Sequence, residues 1–187
     1  AASLAYLANK QGDAIGLCVF QDGGLFSLAA KQDFQHLSRM FYQLENIKAG
    51  GDFTKPIHYK DIYTGSKRRE LLIFITDMYE QNGEILQLID TLTTLKNEVI
   101  VFHLMGKNEL ELDFKGYSEL EDLETGQTIK IDVKTTKNMY QEKLEKHLNS
   151  MRMELLDRHI FYRMISMAEP LDQALRDFLT QRSKLRT

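Results

Sequence analysis

Two continuous apolar runs, LLIFITD at 71–77 and EVIVFHLM at 98–105, constrain this chain more than any other feature. A strand that alternates apolar and polar residues buries one face, whereas a run without alternation buries both. Between the two runs, EILQLIDTLTTL (84–95) has the helical period, with Ile85, Leu88, Ile89, Leu92 and Leu95 on one side. Strand, helix and strand in this order form a right-handed parallel crossover. The expected fold class is therefore α/β: a three-layer, open, mostly parallel sheet with helices on both faces.

The flanking segments extend that pattern. AASLAYLANK reads as a helix of strong helix formers, but no capping residue precedes Ala1, and the expectation is that its upstream neighbour is missing. AIGLCVF (14–20) and LFSLAA (25–30) flank Asp22-Gly23-Gly24, a hairpin signal that gives the sheet one antiparallel edge strand. From Asp33, a plausible N-cap, to Ile47 the pattern is helical, with Phe34, Leu37, Phe41 and Leu44 as its stripe. Residues 52–69 are polar, with a short helix expected near 57–63. After Gly106 an acidic stretch leads to alternating segments on either side of Glu124-Thr125-Gly126-Gln127, so 107–135 reads as an inserted loop and hairpin. A long amphipathic helix follows over 136–158, with Tyr140, Leu144, Leu148, Met151 and Leu155 along one side. IFYRMIS (160–166) is the final strand, and Pro170 opens a last helix packed through Leu171, Leu175, Phe178 and Leu179. Residues 1–187 make one domain, without internal repeats.

Composition excludes several classes of function. With 24 Lys and Arg against 27 Asp and Glu, the net charge is −3, and general attraction to nucleic acid or anionic membrane is not expected. No apolar run reaches the roughly 18 residues of a membrane helix, and no signal peptide is read, so membrane insertion by this chain is not expected. The lone Cys18 excludes an intrachain disulfide and a multi-cysteine metal site. That usage fits a reducing compartment, and a cytoplasmic location is expected.

In an open α/β sheet, ligands bind beyond the carboxyl ends of the strands. Asp77 closes its strand at that edge. A carboxylate there is a ready magnesium ligand, since Mg²⁺ takes one or two carboxylates and keeps several waters. It is equally suited to capping the segment that follows. Asp52 and Thr54, after Gly50-Gly51, offer a second carboxylate and a hydroxyl to the same metal, although loop polarity accounts for both more simply. His103 lies inside an apolar strand and is expected to be a satisfied core histidine, and Cys18 a small buried hydrophobe. His36, His58, His147 and His159 lack metal-ligand spacing, and no nucleophile elbow, P-loop or dinucleotide fingerprint is present. The one basic triplet, Lys67-Arg68-Arg69, solvates the start of a buried strand more readily than it binds nucleic acid.

The order of segments resembles a bacterial family, the domain of unknown function numbered fifty-eight, which is similar to von Willebrand factor A domains. LAYLANKQGDAIGLCVF, the Gly50-Gly51 loop, the strand ending at Asp77, EDLETGQTIKIDV, the Tyr140 helix and EPLDQALRDFL carry the resemblance over nearly the whole chain. It implies a six-strand sheet in the order 3-2-1-4-5-6, with the third strand as the antiparallel edge. It also implies a metal-ion-dependent adhesion site built from an Asp-x-Ser-x-Ser motif after strand one, a threonine in a later loop and an aspartate after strand four. Asp77 matches the last of these; Asp52 falls where the threonine is expected, with Thr54 two residues on. The serine motif is absent, because strand one would lie before Ala1. Its loss would leave two strands without ladder partners, at roughly 1–3 kcal/mol for each buried unpaired group. An upstream segment supplying that strand is therefore expected, with closure of the flanking strands or a second chain in the gap as alternatives.

These features lead to an expected protein–protein interaction module, not an enzyme. The resemblance implies as partners a MoxR-type AAA+ ATPase and other von Willebrand A-like proteins, in cofactor insertion or complex assembly. With Asp77 as the matched ligand and the serine motif absent, Mg²⁺ binding by this chain is expected to be weak or absent. The alternative is a magnesium-dependent phosphoryl hydrolase with Asp77 as ligand and Asp52 as its nearest candidate for a second carboxylate or base. A third reading is a ligand-free scaffold that meets partners through the 110–135 hairpin or the C-terminal helices.

Overall fold

Strand β4 (Glu98–Met105) is the centre of the molecule, and its sequence says why: Val99 through His103 are all buried. Parallel neighbours flank it, β3 (Leu71–Thr76) on one side and β7 (Phe161–Ser166) on the other. A computed structural model describes residues 1–21, 24–48, 69–79, 83–94, 97–114, 116–121 and 126–185.

The pleat of β4 sorts its side chains between two apolar layers. Val99 and Val101 join a cluster with Ile85, Leu88, Ile89 and Leu92 of α3 (Glu84–Thr94) and Met151 and Leu155 of α5 (Val133–Asp157). Ile100 and Phe102 point the other way. They meet Phe178 of α6 (Leu171–Leu185), with Leu4 of α1 (Ala2–Lys10), Ile73, Phe161 and Ile165 packed alongside. Helices thus cover both faces of a parallel sheet, as the unbroken apolar runs require.

The hairpin forms as expected. β1 (Ile15–Gln21) pairs antiparallel with β2 (Gly24–Lys31). The register shifts between Ile15 and Leu17, where a Cβ on Gly16 would stand 3.0 Å from the Leu28 carbonyl oxygen; only glycine lets the two backbones approach so closely. One expectation is corrected here. The hairpin does not supply an edge strand to the parallel sheet, because β1 and β2 form a two-stranded sheet of their own among the described residues. Phe20 of β1 nonetheless packs edge-on against Phe74 of β3, ring centroids 6.0 Å apart, so the two sheets share a core without sharing a ladder. Among the described residues β3 is correspondingly an edge strand, and Leu71 and Ile75 are exposed where the apolar run predicts burial on both faces.

The hairpin has its own small core. Ile15 packs with Ala5 of α1 and with Leu37 and Met40 of α2 (Phe34–Glu45). Asp33 caps α2 by accepting from the His36 N–H, and the His36 ring lies 2.8 Å from the Ile15 carbonyl oxygen. The expected stripe is half right. Leu37 faces the core and Leu44 packs beside it, but Phe34 is 74% exposed and Phe41 also faces out, while His36 and Met40 take the inner positions. At the first turn, the cap geometry fixes which side faces inward, and it selects His36 through a polar bond that hydrophobic periodicity does not register.

Beyond β4 the chain makes a short helix, α4 (Lys107–Glu111), inside the stretch expected to be loop. The second hairpin follows, β5 (Tyr117–Glu121) against β6 (Thr128–Asp132), where the sequence suggests it. The expected helix near 57–63 and Leu95 of the α3 stripe lie outside the described residues.

Candidate functional site

The carboxyl edge of the parallel sheet is built by three chain reversals, and the first carries Asp77. The strand-to-helix segment after β3 turns sharply at Met78, a non-glycine residue with φ of 57°. Such a backbone costs an L-residue roughly 1–2 kcal/mol. It persists because its side chain is buried in the α3–α5 layer and its N–H is held by the Thr76 hydroxyl at 2.9 Å. The Asp77 side chain accepts the Tyr79 N–H at 3.1 Å and stays exposed to solvent. The capping role suggested for Asp77 is thus present, and the second carboxylate oxygen is left to the solvent side of the turn.

Behind Asp77 lies His103. It stands in register with Thr76 on one side and Met164 on the other, and it is 3% exposed. Its Nδ1 is 2.8 Å from the hydroxyl of Tyr162 on β7. The satisfied core histidine expected from sequence is what the fold contains. Its partner Tyr162 escapes the sequence reasoning; the signal for it is a second polar ring inside an apolar strand, on a strand adjacent to the histidine's.

Burial sets the ionisation of this pair. It lowers the His103 pKa from 6.5, with a smaller push from His147, against the opposing pull of the Asp77 carbonyl and of the Asp77 and Glu109 carboxylates. Burial likewise pushes the Tyr162 phenol up to about 12, despite the nearby Arg152. Both rings are therefore neutral at pH 7, held together by a hydrogen bond between uncharged groups.

A pH dependence follows. A base whose folded pKa is depressed stabilises the fold fully above its unfolded pKa, near 6.5, and that stability is lost as pH falls through the folded value. The urea midpoint should drop between pH 7.5 and pH 5. The drop should shrink in His103→Gln, which keeps a neutral polar side chain and cannot take up the proton. Equal drops in both proteins would assign the effect to other groups.

The second reversal follows β4. Gly106 opens α4, with its N–H bound by the Glu109 carboxylate at 2.7 Å, and the Tyr140 hydroxyl of α5 donates to the Glu109 carbonyl at 2.6 Å. The third follows β7, where the Ala168 N–H meets the Ser166 hydroxyl and the Met167 N–H returns to the Met105 carbonyl. Hydrogen bonds close each reversal, the second and third with a partner from another element.

Of the residues expected to bind metal, Asp77 stands at the sheet's carboxyl edge, and Asp52 and Thr54 lie outside the described residues. Among the described residues, no group of three His, Cys, Asp or Glu side chains could hold a metal ion. Asp77 brings one carboxylate to that edge, the fewest with which Mg²⁺ is held when waters fill its other positions. Cys18 is partly buried, with its Sγ 3.7 Å from the Ser27 hydroxyl. No helix among the described residues is long and apolar enough to cross a membrane.

A family model described as "Protein of unknown function DUF58" matches residues 1–150. Among solved structures, the conserved hypothetical protein BatB from Bacteroides thetaiotaomicron superposes over 97% of this chain and 87% of its own, with a TM-score of 0.50 and 14% sequence identity. At that identity the likeness speaks to fold alone. No curated protein matches the sequence significantly.

Proposed function

The chain belongs to the DUF58 family of proteins of unknown function, and we propose that it is a protein–protein interaction module of the von Willebrand factor A type. In this reading the carboxyl edge of the parallel sheet is the contact surface and Asp77 its central group. The proposed partners are a MoxR-type AAA+ ATPase or other von Willebrand A-like proteins, and the proposed setting is cytoplasmic complex assembly. Asp52 and Thr54 are proposed as companions of Asp77 in a degenerate metal-ion-dependent adhesion site, with Mg²⁺ bound weakly or not at all.

One observation carries the reading. Asp77 offers a solvent-facing carboxylate on a tightly held turn, while the titratable groups directly behind it, His103 and Tyr162, are bonded to each other. A hydrolase needs a base aimed at its nucleophile. A contact site needs a charged group held still, because ordering it beforehand lowers the entropic cost of association.

The test is a calorimetric titration of the purified chain with a MoxR-type ATPase, with and without Mg²⁺. Binding that weakens at least tenfold in Asp77→Ala is expected, alongside a Mg²⁺ affinity too weak to saturate at millimolar metal. Tight Mg²⁺ binding abolished by the same substitution, together with turnover of phosphate esters, would replace the module with the magnesium-dependent hydrolase.

A further inference from the structure

Among the described residues, β5 and β6 form a two-stranded sheet of their own. β6 leads directly into α5 and keeps contact with it, which leaves β5 as the outer strand. A sheet of two strands is marginal in water, and a third strand is what it lacks. An open strand edge offers its N–H and C=O groups to any extended chain. The pleat gives this edge two different faces. Leu120 stands opposite Ile129, and Ile131 follows on the same side. That side is apolar, Ile129 is 61% exposed, and among the described residues none of the three joins an apolar cluster of the molecule. Glu119 and Glu121 point to the other side, opposite Lys130 and Thr128, and both glutamates are exposed.

We propose that the outer edge of β5 receives an extended segment of a partner protein in which apolar residues alternate with Lys or Arg. Geometry requires the alternation. Along a third strand, successive side chains fall beside Leu120 on one face and beside Glu119 and Glu121 on the other. Electrostatics requires the sign of the charge. The polar face carries the carboxylates of Glu119, Glu121 and Asp132 against the single ammonium of Lys130. The described residues between 107 and 132 hold six acidic side chains and two basic ones, whereas the whole chain is only −3, so its acidity is concentrated in the segment that builds the hairpin. Opposite charges side by side on a ladder stabilise the pairing and like charges oppose it. A second copy of this chain, pairing edge to edge, would set its own glutamates against these; a basic strand meets them with the complementary charge. The hairpin offers this edge from a fixed root, because the N–H of the buried Val133 bonds the Gly116 carbonyl at 3.1 Å. The proposal does not depend on Asp77 being a contact group.

Three end-blocked heptapeptides serve as probes: one alternating lysine with valine, one alternating glutamate with valine, and one with the lysines and valines gathered into two blocks. Each is titrated into the full chain and followed by ¹H–¹⁵N spectra and amide exchange. The alternating lysine peptide should shift the signals of β5 and β6 and give alternate amides of β5 at least tenfold more protection, while the buried Ile100 and Val101 of β4 stay within twofold. The other two peptides should bind at least tenfold more weakly. Glu119→Lys combined with Glu121→Lys should reverse the preference toward the glutamate peptide. Equal binding of the alternating and blocked lysine peptides would reduce the effect to charge alone and overturn the proposal. Shifts centred on the turn at 76–79, or no binding at millimolar peptide, would overturn it as well. A dimer of the wild type that the lysine peptide dissociates would put a second copy in the partner's place and likewise overturn it. The comparison of peptides on the wild type stands even if the double variant does not fold.

Discussion

Leu155→Ala should cost this protein about 3 kcal/mol, within the range of roughly 2–5 kcal/mol found for leucine truncation in cores. Leu155 is fully buried in the layer between α5 and the parallel sheet, among Met151, Val101, Ile89 and Ile160. Its carbonyl also receives the N–H of Ile160 at 3.0 Å, the bond that ends α5 and starts the chain back toward β7. Alanine retains that backbone bond and favours the helix slightly, so the whole loss is in packing and in the void left behind. For a chain of this size the melting temperature should fall by roughly 6–12 °C. The adjacent Leu156 is a control of the same chemistry on the same helix. It is 58% exposed, and its truncation should stay within about 0.5 kcal/mol. Comparable losses for the two leucines in urea unfolding would mean that α5 does not lie on the sheet as described.

The layers of the fold are legible in the sequence because they rest on short-range patterns. Strand β4 has the bounds that its apolar run suggests, and α3, α5 and α6 follow their periodicities to within a few residues. Facts that depend on which strands become neighbours are not legible. The first hairpin reads as two strands from its turn alone, but nothing local says whether β1 will find a ladder partner beside β3. Leu71 and Ile75 look as buried as Ile100 and Phe102 in the sequence; what separates them is that, among the described residues, β4 has a strand on each side and β3 does not. The site divides in the same way. Asp77 can be named because a carboxylate at the end of an apolar strand is a local signal. The buried pair of His103 and Tyr162 cannot, because Tyr162 lies 59 residues from His103 and becomes its neighbour only through the β4–β7 ladder. Polar side chains inside apolar strands are the trace such pairs leave in a sequence, and two of them on adjacent strands are candidates for a buried hydrogen bond.

The second large effect expected is at Phe178, which is 3% exposed and lies beyond the residues 1–150 matched by the family model. Its ring stands edge-on to Phe102 of the central strand at 4.9 Å and to Phe161 of β7 at 5.6 Å, so one side chain of α6 bridges two strands of the sheet. Two salt bridges hold the helix in place around it: Arg182 to Glu98 at 2.8 Å, and Asp177 to the largely buried Arg163 at 3.6 Å. Phe178→Ala should therefore cost about 4 kcal/mol, from phenylalanine truncation at roughly 3–5 kcal/mol with the lost aromatic contacts included. Leu179→Ala, at a residue 44% exposed on the same turn, should cost far less. The argument concerns the extent of the folding unit as well as one residue. β7 provides the second ladder of β4, and α6 covers Ile100 and Phe102, which would otherwise present apolar surface to water. If α6 were an appendage, Phe178→Ala would leave the urea midpoint unchanged and lower only the protection of its own amides. A drop that also reaches the amides of β4, with one cooperative transition, places the C-terminal strand and helix in the same folding unit as the Asp77 edge.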